Sequence, residues 1–137
     1  MIFRPDACLN RFLEALRTGG LLDGAELCLF VSNHANNPAD DTAAYTAIEA
    51  TFGGYARRTL STWSAPAVLS GYSISQCSPE VWMATGAGLP QSVWGIFVLD
   101  AGGDLLYAEL DPDGATVLTA AGQTFSYLPR WADTNIV

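Results

Sequence analysis

The segment QSVWGIFVLDAGGDLLYAEL, residues 91–110, contains two apolar runs with a short glycine-containing stretch between them. Residues 93–99 carry no polar side chain except the indole of Trp94. A strand of this composition has two apolar faces, which is typical of the centre of a sheet that is covered on both sides. Residues 100–104 include two glycines and suit a loop between antiparallel strands. We therefore predict a buried β-hairpin with strands over 92–99 and 105–110.

Short apolar or alternating segments continue this β pattern along the chain. The predicted strands outside the hairpin cover residues 25–32, 55–63, 72–77, 81–85, 115–118 and 123–128. About eight short strands at even spacing, with turn-forming residues between them, are typical of an all-β domain. The length of 137 residues indicates one domain. We expect residues 24–130 to form a mainly β, antiparallel β-sandwich or jelly roll.

Two segments depart from the strand pattern. Asp6 can cap a short helix over residues 6–17, whose apolar residues recur at helical spacing. We assign residues 1–23 to this N-terminal helical segment, which either covers one end of the β core or docks on a partner. Residues 42–50 can form a helical turn with an exposed Glu49, after the polar surface loop 33–41. We expect an irregular tail after Pro129, with residues 131–137 as its end.

The balance of apolar and charged residues indicates association. Half of the residues are hydrophobic and only 15% are charged, compared with about 25% in a typical domain. A domain of this size cannot bury every apolar side chain in its own interior. A patch buried against a neighbouring molecule is therefore expected. We interpret the chain as an oligomer or a component of a larger assembly.

The net charge argues against anionic partners. Fourteen acidic and six basic residues give a net charge of −8, and the chain has no lysine. Nucleic acids and anionic membranes are bound by clustered cations, so we predict neither as a partner. No signal-peptide core and no uninterrupted apolar run of about 18 residues is present, which predicts a soluble protein made in the cytoplasm. The three cysteines fit no metal spacing, so we expect free thiols.

Residues suited to catalysis or metal binding are few. His34 is the only histidine and lies in an asparagine-rich loop, so a loop contact is favoured over a catalytic base. Two pairs of turn carboxylates, Asp100 with Asp104 and Asp111 with Asp113, do not match a calcium-binding loop. We predict that the protein is not an enzyme and has no cofactor and no metal site.

The four tryptophans leave a choice between core and surface roles. They are Trp63, Trp82, Trp94 and Trp131. We expect Trp94 to lie in the core, whereas Trp131 suits an intersubunit contact equally well. Exposed aromatic side chains beside acidic residues could also bind sugars. A carbohydrate-binding β-sandwich module is therefore the alternative class.

Several segments resemble small structural virion proteins of tailed bacteriophages. The first segment contains Asn36-Asn37-Pro38 and then AYTAIEATFGGYAR over residues 44–57, followed by Leu60 and Trp63. It matches an acidic loop, a segment containing Tyr and Glu, and a Phe-x-Gly-Tyr-Ala turn that precedes a strand. WGIFV over 94–98, LLYAE over 105–109 and GQTF over 122–125 agree as well. The likeness covers roughly residues 24–130 and includes no catalytic residue.

The resemblance implies a head decoration, or cement, protein of jelly-roll type. Such proteins typically form trimers at the three-fold positions of an icosahedral shell and clamp adjacent capsid subunits. We accordingly expect a homotrimer that contacts the major capsid protein on the outside of the virion, with a tail or fibre component as the alternative. The candidate interface residues are Leu9, Phe12, Leu16, Arg57, Arg58, Trp63, Arg130 and Trp131.

Overall fold

The structure, a computed structural model, describes residues 2–3, 24–60, 67–69 and 72–134. For residues 2–3, 67–69, 72–75 and 131–134 only the backbone is described. The helix predicted over residues 6–17, with its candidate interface residues Leu9, Phe12 and Leu16, lies outside the described residues, and so does Trp63. Within the described ranges the protein is mainly β, and every strand pair is antiparallel. This confirms the predicted fold class at that level.

The described residues contain twelve strands and one short helix, so the strands are shorter and more numerous than the eight or so predicted. The strands are β1 Ile2–Phe3, β2 Ala25–Phe30, β3 Arg58–Leu60, β4 Ala67–Leu69, β5 Tyr72–Gln76, β6 Glu80–Met83, β7 Gln91–Val93, β8 Gly95–Leu99, β9 Leu105–Leu110, β10 Thr116–Leu118, β11 Thr124–Tyr127 and β12 Arg130–Thr134. The helix, α1, is Thr42–Thr46. Residues 1–3 were assigned to the helical segment, but β1 is an edge strand of the largest sheet.

The predicted hairpin is confirmed and lies inside this largest sheet. Five strands pair in the order β1-β9-β8-β2-β3, which we call the central sheet. All five residues of β8 are buried. Ile96 and Val98 belong to one apolar cluster, and Phe97 and Leu99 belong to a second cluster on the opposite face. Both faces of the strand are therefore covered, as its composition predicts.

The hairpin differs from the prediction at Trp94, where the strand predicted over 92–99 is divided into β7 and β8. The Trp94 N–H donates to the Phe30 carbonyl, and its own carbonyl accepts from the Asp111 N–H. Opposite Trp94, residues 111–114 form a turn between β9 and β10. In this turn Asp111 Oδ1 accepts the Asp113 N–H at 2.9 Å. The turn interrupts the pairing because the Gly114 N–H donates to the Asp111 carbonyl within the turn and not to the opposite strand.

A second layer covers one face of the central sheet. It consists of the antiparallel pairs β7–β10 and β6–β11, and we call it the outer layer. Strands β10 and β11 are not paired, but they contact each other. The outer layer buries Val93, Leu118, Phe125 and Trp82 in the same cluster as Ile96. The Trp82 indole N–H donates to the Ala56 carbonyl at 2.7 Å, so its one polar atom is satisfied in the core.

Helix α1 covers part of the other face. Asp41 caps it, since Oδ1 accepts the Ala44 N–H at 3.0 Å. Tyr45 is buried with its ring centroid 5.5 Å from those of Phe30 and Phe97. The helical turn predicted over residues 42–50 is confirmed for the first five of them.

The prediction of an irregular tail after Pro129 is wrong for residues 130–134. They form β12, which pairs with β5, and β5 also pairs with β4. Pairing with β5 gives the backbone N–H and C=O groups of this segment partners in the protein. In a solvent-exposed tail these groups would bond to water. The strand predicted over 55–63 is described only as β3, and residues 61–63 lie outside the described ranges.

Candidate interaction surface

Three large apolar side chains are exposed on the outer layer. Val81 is 48% exposed, Met83 is 59% exposed, and Val117 is 52% exposed. Val81 and Met83 lie on β6, and Val117 lies on β10. A cluster of exposed apolar side chains is a mark of an interaction site, whereas single ones are ordinary.

Strand alternation places these three side chains on one side of the layer. Trp82 is directly opposite Phe125, and both point inward to the core. Their neighbours Val81 and Met83 therefore point outward, opposite Ser126 and Thr124. Val117 likewise precedes the buried core residue Leu118, so it points outward, and it is opposite Ser92. We call the set of Ser92, Val117, Val81, Met83, Thr124 and Ser126 the outer face.

The outer face carries no charged side chain. The chain as a whole has a net charge of −8, to which these six residues contribute nothing. Thr124 and Ser126 are exposed and Ser92 is half-buried, so small hydroxyl side chains alternate with the larger apolar ones. An uncharged, partly apolar sheet surface can be buried against another protein without leaving an unpaired charge behind.

Arg58 lies at the margin of the outer layer, where it holds β6. Its Nη2 donates to the Val81 carbonyl at 2.9 Å, and its guanidinium carbon lies 5.7 Å from the centre of the Trp82 ring. Its Nε is 3.9 Å from a carboxylate oxygen of Glu80. Arg58 was predicted as an interface residue, and the structure gives it these contacts within its own chain.

Arg57 is bound by a carboxylate cluster of the same chain. Its Nε and Nη2 donate to Glu49 Oε1 and Oε2, both at 2.8 Å, and the Tyr55 hydroxyl donates to Glu49 Oε1 at 2.6 Å. Glu26 lies farther away, 3.6 Å from Nη1 of Arg57. Arg57 was predicted as an interface residue, and the structure gives it these contacts within its own chain. The prediction that Glu49 is exposed is wrong, because its side chain is half-buried under these two donors.

Burial and hydrogen bonding shift the pKa values in this cluster. Burial alone would raise the pKa of Glu49, but the hydrogen bonds from Arg57 and Tyr55 and the charge of Arg57 bring it below its ordinary value. Burial and the hydrogen bond to Glu49 raise the pKa of Tyr55. Burial, together with the charge of Glu49, raises the pKa of the Cys28 thiol to about 12. The cluster is thus a fixed ion pair beside an inert thiol, and no activated nucleophile lies in it.

Two other predicted interface residues, Arg130 and Trp131, belong to β12, whereas Arg58 begins β3. Arg130 is exposed at the start of β12, opposite Gln76. Trp131 lies opposite Ser75, and its side chain is not described. The sequence analysis did not select Val81, Met83 or Val117. The signal for Val81 and Met83 was present, since a buried Trp82 in a strand places both neighbours on the outside.

His34 is part of a braced loop. Its Nε2 lies 2.8 Å from Asp40 Oδ2, which also accepts the Asn37 N–H at 2.9 Å. The Tyr45 hydroxyl donates to Asn36 Oδ1 at 2.6 Å. No serine, threonine or cysteine side chain takes part in these bonds. The arrangement orders the loop between β2 and α1.

A small cleft opens between the outer layer and the central sheet. Its volume is about 110 Å³, and it is lined by Gly95, Ile96, Glu109, Asp111, Pro112, Phe125 and Tyr127. The Tyr127 hydroxyl donates to Glu109 Oε2 at 2.7 Å, which ties β11 to β9. The cleft is small beside the ~300 Å³ or more of typical ligand pockets. The described aromatic side chains are buried or half-buried.

The described residues contain no group of three or more His, Cys, Asp or Glu side chains placed to hold a metal ion. No helix among these residues is long and apolar enough to span a membrane. No protein-family model, curated protein or solved structure matches the chain.

Proposed function

We propose that this protein is a structural protein that acts by assembly, as a decoration or cement protein of a tailed-phage capsid. In this proposal the domain is a β-sandwich of jelly-roll type, forms a homotrimer on the outside of the shell, and clamps adjacent subunits of the major capsid protein. A tail or fibre component would use the same physical principle at another place in the particle.

The outer face is the observation that carries the proposal. It combines three exposed apolar side chains with three small hydroxyl side chains and no charge. The other clusters described above are closed within the chain. Glu49 binds Arg57 and Tyr55, and Asp40 binds His34. A protein whose polar clusters hold its own loops, and whose exposed apolar surface is uncharged, is suited to packing against other proteins.

The segment that resembles phage virion proteins contains residues that determine the local fold. Proteins of one architecture would share residues of this kind. Gly54 has φ +93°, and a side chain there would collide with the Met83 carbonyl. Tyr55 and Arg57 bind Glu49 from the same segment. These residues position the turn that runs beside β6. The resemblance therefore concerns residues that shape the domain and supports a structural role.

A binding assay with phage shells tests the proposal. Purified protein is mixed with shells of a tailed phage whose own particles contain this chain, prepared without it, and the mixture is separated by sedimentation. We expect saturable binding at a fixed number of copies per shell. The control is the same shell already bearing its full complement, which should bind no more. If the protein never sediments with the shells or with tails, the proposed function is wrong.

A further inference from the structure

We propose, building on the structural role given above, that the occupant of the outer face is a second copy of this chain. The contact is a sheet-on-sheet packing about a two-fold axis, in which Met83 and Val81 of each copy lie against the outer face of the other, and it joins copies that belong to different trimers. The candidate interface residues near the two ends of the chain then remain available for contacts with the shell.

Charge favours a second copy as the partner. Each copy has a net charge of −8, so two copies repel one another at most orientations. The outer face contributes no charge, and burying it against itself brings no carboxylates together. A basic partner would gain most from surfaces rich in acidic residues, and this face offers it none. Like molecules can therefore meet on this face without bringing charged side chains of the face together.

Shape also favours self-packing. Each cross-strand pair of the face joins one large apolar residue to one small hydroxyl residue: Val81 with Ser126, Met83 with Thr124, and Val117 with Ser92. The face therefore presents both projections and recesses. A surface that contains both can be complementary to itself about a symmetry axis. Opposed sheets pack in this way, with side chains of the two inner faces interdigitating.

The size of the face predicts a contact of moderate strength. Three exposed apolar side chains and their neighbours provide a few hundred Å², below the ~800 Å² per partner of a standard stable interface. Association in solution should therefore depend on protein concentration. Because the copies carry like charge, added salt should strengthen the association, whereas it would weaken one held by ion pairs.

The test is sedimentation velocity of the full chain at a series of concentrations and salt levels. We expect the mass to rise above the 14.6 kDa of one chain and to rise further with salt. Met83→Glu should raise the dissociation constant about tenfold or more, because the new carboxylate would be buried unpaired. Val117→Glu, on another strand, should do the same. Met83→Leu should retain association, and Ala43→Glu on the exposed side of α1 is the matched charge control.

Circular dichroism checks that each variant keeps the native fold. Wild-type protein that stays a monomer at every concentration and salt level would overturn the proposal. So would folded Met83→Glu and Val117→Glu variants that associate as strongly as wild type. Failure of this proposal is distinguishable from failure of the proposed function, because shell binding is measured separately. A chain that binds shells without self-association would point to the shell as the occupant of the face.

Discussion

Glu49 holds the Arg57 guanidinium with both carboxylate oxygens, at 2.8 Å each, across a separation of eight residues. The same carboxylate accepts the Tyr55 hydroxyl at 2.6 Å. Glu49 follows α1, and both donors belong to the turn that leads into β3. The three residues therefore fasten the helix-containing segment to the edge of the central sheet.

Replacing Glu49 should destabilise the domain. Glu49→Ala leaves the half-buried Tyr55 hydroxyl without its acceptor, and we expect a loss of about 2 kcal/mol in the free energy of unfolding. Urea denaturation measures this loss. Glu26→Ala is the matched control, because Glu26 is 3.6 Å from Arg57 and 39% exposed. The control should lose less than about 1 kcal/mol. Equal losses in the two variants would contradict a specific role for Glu49.

The lowered pKa of Glu49 fixes the sign of a pH effect. A carboxylate with a lower pKa in the folded than in the unfolded state contributes its full stabilisation above the unfolded value, here 4.5. The contribution decreases as the pH falls below 4.5 toward the folded pKa. Wild-type stability should therefore decrease more steeply than that of Glu49→Gln in acid. Parallel stability curves for the two proteins below pH 4.5 would show that Glu49 is not the group responsible.

The central strand could be predicted because its signal is local. An apolar run from Val93 to Leu99 requires cover on both faces wherever it lies in the fold. The division at Trp94 could not be predicted, since it depends on Phe30 and Asp111, which are distant in sequence. The strand β12 likewise depends on a partner more than fifty residues earlier.

The candidate site was harder to predict than the fold. Charged and aromatic residues were selected because such residues often lie in interfaces, but Arg57 and Arg58 have partners within the chain. Exposed valine and methionine give no signal by residue type. These side chains can be identified as exposed only when the core-facing side of each strand is known from Trp82, Phe125 and Leu118.

The Cys28 thiol should be unreactive in the native protein. Burial and the nearby Glu49 raise its pKa from 9.0 to about 12, which lowers the thiolate fraction at pH 8 about thousandfold. In a variant with Cys8→Ser and Cys77→Ser, labelling by a thiol-specific disulfide reagent should be slow until denaturant is added. Rapid labelling of that variant while it remains folded would contradict the described position of Cys28.

Gly95 should not tolerate a side chain. A Cβ at this position would collide with the Glu109 carbonyl and lie 2.6 Å from an atom of the Phe30 ring. Gly95→Ala should therefore lower the free energy of unfolding by about 2 kcal/mol or more. Gly102→Ala is the comparison, since its nearest neighbour would be a side-chain oxygen of Asp100 at 3.3 Å. Thermal denaturation of both variants gives the difference, and an unaffected Gly95→Ala would contradict the register of β8 with β9.

In our proposal this protein acts by packing against copies of itself and a larger shell. The most direct measurement is the amount of this chain relative to the major capsid protein in purified, intact tailed-phage particles from cells that make it. We expect a fixed stoichiometric ratio that does not change on further purification. Absence from particles, or a trace amount that decreases with each purification step, would contradict the account.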